Sequence, residues 1–160
     1  MENKNGLIIR LADKNDILSL SRLYEEFFKY NSLQEPFLNA EAEEKGDYPQ
    51  SVIEGTTGDI FVSEINNDIV GFIHLEEDKT DPFPCVVQHR FTRIIDLYIK
   101  PEYRKNGIGK LLIEEAKEWS IERKHDYLEL MVLENNEIGK NFYKKESFVT
   151  TSNIMRYILK

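Results

Sequence analysis

The stretch Ile99-Lys100-Pro101-Glu102-Tyr103-Arg104-Lys105-Asn106-Gly107-Ile108-Gly109-Lys110 constrains this chain more than any other. Before it, Val86 to Ile99 reads as a long strand ended by Pro101. After it, Ile108, Leu111, Leu112, Ala116 and Trp119 fall on one apolar stripe at helical spacing. The stretch is therefore a strand-to-helix connection, where unpaired amides and the helix dipole favour an anion. Gly107 and Gly109 remove side chains at the helix entry, so that an anion can approach the backbone. Lys100, Arg104, Lys105 and Lys110 stand against Glu102 alone, inside a chain whose net charge is −8. The pattern is not a P-loop, which needs Gly-Lys-Ser/Thr after four spaced residues, nor the three-glycine dinucleotide fingerprint.

The rest of the chain supplies a domain around this loop. Leu7 to Leu11 suits a first strand, and Asp13 or Asn15 can cap a helix carrying Ile17, Leu20, Tyr24, Phe27 and Phe28. A short helix is expected from Pro49, since proline suits a first helical turn. Ile60 to Ile65 and Ile69 to Leu75 flank Asn66-Asn67-Asp68, a tight hairpin turn. Asp81-Pro82-Phe83-Pro84 marks a loop. Tyr127 to Leu133 reads as a strand, Ile138 and Phe142 as a buried helix face, and Phe148 to Leu159 as one or two closing strands. Antiparallel neighbours followed by a strand-helix-strand crossover indicate a mixed sheet in a single α/β domain spanning 1–160.

Composition narrows the classes. An acidic chain argues against a general nucleic-acid binder, because phosphate neutralisation needs a basic face. No apolar run approaches the roughly 20 residues of a membrane span, and Met1-Glu2-Asn3-Lys4-Asn5 opens no secretory signal. Cys85 stands alone, which fits a reducing cytoplasm, and His74, His89 and His125 form no metal-ligand motif. Acidity also suits attraction of a cationic amine.

Tyr103-Arg104-Lys105-Asn106-Gly107-Ile108-Gly109 resembles the Arg/Gln-x-x-Gly-x-Gly/Ala motif of the GCN5-related N-acetyltransferase (GNAT) family. The resemblance extends to Ile94-Ile95-Asp96-Leu97-Tyr98-Ile99 before it and to Asn136 through Asn141-Phe142-Tyr143 after it. It implies a mostly antiparallel central sheet with helices on both faces and a splayed parallel strand pair. Acetyl-CoA would lie in that splay, with no metal. Arg104, Lys105, Asn106, Gly107, Ile108, Gly109 and Lys110 would line its pyrophosphate. The backbone of Leu97, Tyr98 and Ile99 would pair with the pantetheine arm like an added strand, and one N–H would polarise the thioester carbonyl. Asn136 would bond the pantetheine region, and Tyr143 would sit near the sulfur as an acid.

An acceptor amine is mostly protonated at neutral pH, so a base or a water chain must remove a proton. By resemblance Asp96 is the catalytic carboxylate, with Glu129 and Glu76 as rivals; His74 reads as a core histidine and Cys85 as structural. Two departures stand out: Ile95 where acidic-pair relatives carry Glu, and Glu146-Ser147-Phe148 where Gly usually precedes Phe. The acceptor is expected to be a small, polyamine- or aminoglycoside-like amine, since Glu35, Glu41, Glu43 and Glu44 stand in the variable segment from Phe28 to Tyr48. A peptide or protein amine, and a non-catalytic acyl-CoA-binding regulatory module, are the alternatives. A homodimer is also consistent, with Ile154 to Leu159 as a contact strand, although no feature demands it.

Overall fold

The structure is a computed structural model that describes residues 6–40 and 48–160. Strands β1 (Leu7–Leu11), β2 (Gly58–Ile65), β3 (Asp68–Lys79), β4 (Arg90–Ile99) and β5 (Tyr127–Leu130) form a sheet in the order β1-β2-β3-β4-β5. The first three junctions are antiparallel and β4–β5 is parallel. Helices are α1 (Ile17–Gln34), α2 (Gln50–Ile53), α3 (Ile108–Glu122) and α4 (Glu137–Lys145). A parallel pair cannot be closed by a hairpin, and α3 is the crossover that makes it.

Local chemistry explains the entries and turns. Asn66 and Asn67 take φ of 51° and 67°, the left-handed pair that a two-residue hairpin requires. The Asp13 side chain accepts from Asn15 N at 2.7 Å while Asp16 accepts from Asp13 N at 2.8 Å, a capping box for a 3-10 turn leading into α1. Arg10 grips Asp16 at 2.7 and 2.9 Å, and this pairing holds the Asp16 carboxyl below its ordinary range despite burial.

Each sheet face carries its own core. On one face Ile108, Leu112, Ile113, Ala116 and Trp119 of α3 pack on Ile73, Leu75 and Ile94. On the other, Leu20, Leu23 and Tyr24 of α1 with Val52 of α2 cover Ile60, Val62, Phe72 and Tyr98. Each large apolar side chain so buried contributes about 1.5–3 kcal/mol. Among the described residues, no helix is long and apolar enough to cross a membrane.

Four expectations change. β4 begins at Arg90, because residues 86–89 belong to the preceding loop, where Thr80 closes hydrogen bonds to Val87 and His89. β5 stops at Leu130. Ile138 is exposed, and the inward residues of α4 are Phe142 and Tyr143. Residues 148–160 form no strand, and Ile154, Met155, Tyr157 and Leu159 are exposed. Strand propensity measures fit to a paired surface, and here the tail has no ladder partner. It is tied back by Arg156, which approaches Glu35 at 3.8 Å and stacks on Phe37.

Candidate active site

The site begins with an irregularity in β4. His74 pairs with Asp96 and Leu75 with Ile94, so Ile95 is an extra residue, a β-bulge. Side chains alternate along a strand, and one inserted residue reverses which face the next ones occupy. Thr92 and Ile94 thus share the α3 face with Leu97 and Ile99, while Asp96 and Tyr98 turn to the α1 face. Without the bulge, Asp96 would point under α3. The parallel ladder to β5 ends at Ile94–Leu130, at the same place. Beyond it, among the described residues, the edge of β4 from Leu97 to Ile99 has no strand beside it, and it offers main-chain donors and acceptors.

The connection to α3 supplies the second part. Pro101–Tyr103 forms a 3-10 turn, Lys105 and Gly107 take φ of 65° and 81°, and α3 starts with no side chain capping it. The first amides of the helix are therefore aimed outward beside exposed Lys105, Asn106 and Lys110. The two glycines have different causes. A Cβ on Gly107 would meet nothing within 4 Å, and its left-handed φ is the constraint. A Cβ on Gly109 would lie 3.0 Å from Phe142 and 3.4 Å from Ile99, so that glycine lets α4 close on the helix start.

Arg104 does not extend into solvent toward an anion. Its Nε donates to Ile99 O at 2.8 Å, and its guanidinium lies 5.1 Å from the Tyr30 ring centre and 5.5 Å from that of Tyr98. Tyr30 in turn donates to Asn136 Oδ1 at 3.3 Å, and the same oxygen caps α4 by accepting from Gly139 N at 2.9 Å. Arg104 and Asn136 are thereby joined through α1, which the sequence did not reveal. Tyr30 is the residue that its reading missed, since at helical spacing it looks like any aromatic of α1.

Tyr143 is packed between Phe142 and Phe148. Burial first, and the Asp96 carboxylate second, push its phenol above the ordinary range. The same two causes raise Tyr24. Asp96 is thus the charge that both tyrosines feel, one from each side of the sheet. Around it on the α1 face stand Tyr24, Tyr48, His74 and Phe72. Tyr98 donates to Glu26 at 3.2 Å, and its phenol is pushed up to about 12 by burial and by that carboxylate.

The rivals to Asp96 are placed as well. Glu129 is paired with Arg93 at 2.9 Å, and Glu76 lies 3.2 Å from His74 Nε2. Cys85 is exposed in the loop before β4, apart from these residues. Glu35 faces Arg156, whereas residues 41, 43 and 44 lie outside the described residues. Among the described residues no cluster of His, Cys, Asp and Glu could hold a metal ion.

The family model for the acetyltransferase (GNAT) family matches residues 18–148. An uncharacterized N-acetyltransferase of Archaeoglobus fulgidus is 30% identical over 138 residues, covering 86% of this chain and 90% of its own. A mutant of a Bacillus halodurans protein has the same fold, with a TM-score of 0.89 at 22% identity over 96% of this chain and 99% of that one. An aminoglycoside N-acetyltransferase in complex with CoA superposes with a TM-score of 0.73 at 13% identity, over 96% and 99% of the two chains.

Proposed function

This chain belongs to the acetyltransferase (GNAT) family and is an N-acetyltransferase, and we propose that it acetylates the primary amine of a small cationic molecule. The observation that carries the reading is the bulge at Ile95, which turns the Asp96 carboxylate to the α1 face beside an open edge of β4.

The family uses acetyl-CoA, which supplies an activated acyl thioester. The residues present fit it. The uncapped start of α3, with Lys105, Asn106, Gly107, Ile108, Gly109 and Lys110, offers amides and positive charge to a pyrophosphate. The main chain of Leu97, Tyr98 and Ile99 offers an unpaired edge to an extended amide-bearing arm. Arg104, now bonded to Ile99 O, would release that carbonyl as the arm arrives and could then turn to phosphate. Asn136, at the start of α4, would meet the same arm.

The protein's own groups then handle protons. Asp96 accepts a proton from the bound ammonium group, so that the nitrogen lone pair is free to attack. Tyr143 carries its proton at neutral pH, as an unperturbed phenol already does, so Oη can donate to a developing thiolate. A cation suits the acceptor side, because the carboxylates Glu26, Glu76 and Asp96 stand on the α1 side. The aminoglycoside N-acetyltransferase with this fold supports the same substrate class.

A panel of polyamines, aminoglycosides, amino acids and peptide N-termini, assayed for free CoA thiol and for acetylated product by mass spectrometry, tests the proposal. Acetylation of small cationic amines is expected. Transfer to peptides alone would overturn the substrate class, and CoA binding without thiol release from any acceptor would overturn catalysis.

A further inference from the structure

His74 is the buried polar group that the scheme above leaves unused, and its surroundings are unusual. The side chain is 0% exposed, in the middle of β3, on the α1 face. Its Nε2 lies 3.2 Å from Glu76 Oε1 but makes no well-aligned hydrogen bond, and it is buried with no other partner. Its Nδ1 lies 3.8 Å from Asp96 Oδ2, a gap that a bridging water or a small carboxylate rotation closes. Tyr24 faces that nitrogen with its hydroxyl at 3.5 Å, and the Tyr48 ring stands edge-on 5.7 Å away. A buried polar group is ordinarily hydrogen-bonded, and a histidine nitrogen commonly meets a backbone carbonyl or a single carboxylate. This one sits between two carboxylates, Asp96 at 15% exposure and Glu76 at 38%.

The proton inventory of acetyl transfer shows what such a group is for. A primary ammonium nitrogen carries three protons and the product amide nitrogen carries one. One of the two released protons ends on sulfur and the other must reach water, yet Asp96 can hold only one. We propose that His74 is a proton-storing, positioning residue for Asp96, forming with Glu76 an Asp96–His74–Glu76 triad on the acceptor side.

This inference rests on the reading of Asp96 as the proton acceptor. In it the N–H bond of the ammonium breaks as an O–H bond forms on Asp96, and the proton then passes to Nδ1. The imidazolium so formed directs Nε2–H at Glu76, whose negative charge stabilises it. Asp96 is again a carboxylate and can take the second proton while Tyr143 serves the sulfur. After the acetylated product leaves, the proton on Asp96 passes by way of water to replace the one Tyr143 gave to sulfur, and the proton stored on His74 then follows through Asp96 to water. Tyr24 and Tyr48 are the remaining titratable groups packed on the ring; Tyr24, its phenol raised by burial, stays neutral, and both orient the imidazole.

Steady-state kinetics with a reactive amine, from pH 6.5 to 9, on the wild type and on His74→Gln, Glu76→Gln, Asp96→Asn and His74→Gln/Asp96→Asn test this. His74→Gln should lower kcat about ten- to a hundredfold at the acid end, a share of what general acid–base catalysis provides. The loss should shrink as the pH rises and more amine arrives unprotonated, with the KM for acetyl-CoA unchanged. In the Asp96→Asn background the same change should cost little more, because His74 acts through Asp96. Glu76→Gln, at a partly exposed position that leaves the fold secure, should show a several-fold loss with the same pH trend. Wild-type profiles in folded Glu76→Gln and His74→Gln, or a His74 effect that is independent of pH and additive with Asp96→Asn, would overturn the triad. If His74→Gln does not fold, a pH-independent or absent Glu76→Gln effect overturns it alone. A wild type inert toward every amine would instead bring down the acetyl-transfer reading and this inference with it.

Discussion

The two sides of β4 offer a ligand different kinds of group. On the edge facing α3 and α4 the usable groups are main chain: Leu97 to Ile99 beyond the end of the parallel ladder, and the first amides of α3. On the α1 face they are side chains: Asp96, His74, Tyr24, Tyr48 and Glu26. Main-chain recognition depends on the path of the backbone and is indifferent to most substitutions that preserve it. Side-chain recognition depends on single atoms. One bulge serves both, because it ends the pairing with β5 and reverses Asp96 in the same step.

The sharpest way to break this contrast is at Asp96. Asp96→Asn should lower kcat by about 10²–10⁴ while acetyl-CoA affinity, read by calorimetry, is unchanged. A comparable loss of affinity would show that the two sides are not separable. Tyr143→Phe comes next, with an expected fall in kcat of roughly ten- to a hundredfold. Wild-type turnover there would remove the phenol from the chemistry.

Gly109→Ala tests the main-chain side. Its Cβ would press on Phe142 at 3.0 Å, so we expect a loss of about 1–3 kcal/mol in thermal or urea unfolding, with weaker acetyl-CoA binding. Gly107→Ala should cost about 1–2 kcal/mol through its left-handed φ, without a clash. Equal and negligible effects at both would contradict the separate causes assigned to them.

A control lies away from both sides. The pairing with Arg10 lowers the Asp16 carboxyl in the folded state. Its contribution is therefore present above the ordinary carboxylate value near 3.9 and is lost as pH falls through the lower folded value. Asp16→Asn should flatten the acid limb of a Tm-against-pH curve without changing turnover at neutral pH. The smallest effect is expected for Leu97→Val, where kcat/KM for acetyl-CoA should stay within about twofold, because the backbone is what is used.

How much of this was legible depended on range. The loop from Pro101 to Gly109 and the stripe of α3 were readable because their signals are local: a proline, two glycines, an apolar period. The hairpin at Asn66-Asn67 was readable for the same reason. The bulge was not, since Ile94-Ile95-Asp96-Leu97 looks the same whether or not a residue is extra, and register is decided by β3. His74 passed for an ordinary core residue because, although Glu76 stands two residues on along the same face of β3, Asp96 comes from β4 in a register that the bulge sets. Tyr30 and its bond to Asn136 join positions 106 residues apart. The tail 148–160 carried a true propensity for strand but no information on what would pair with it.

Ile95 gives β4 something like a reading frame. Replacing that side chain by another apolar one changes little, because the residue matters as a count rather than as a shape. Pairing it in turn, opposite His74, would restore an uninterrupted ladder and a more regular strand with every residue of the chain retained. Asp96 would then face α3, and His74 would look at an apolar neighbour. On the proposed role of Asp96, a protein with a better sheet would be a dead enzyme, so regularity is here the thing the strand has to avoid.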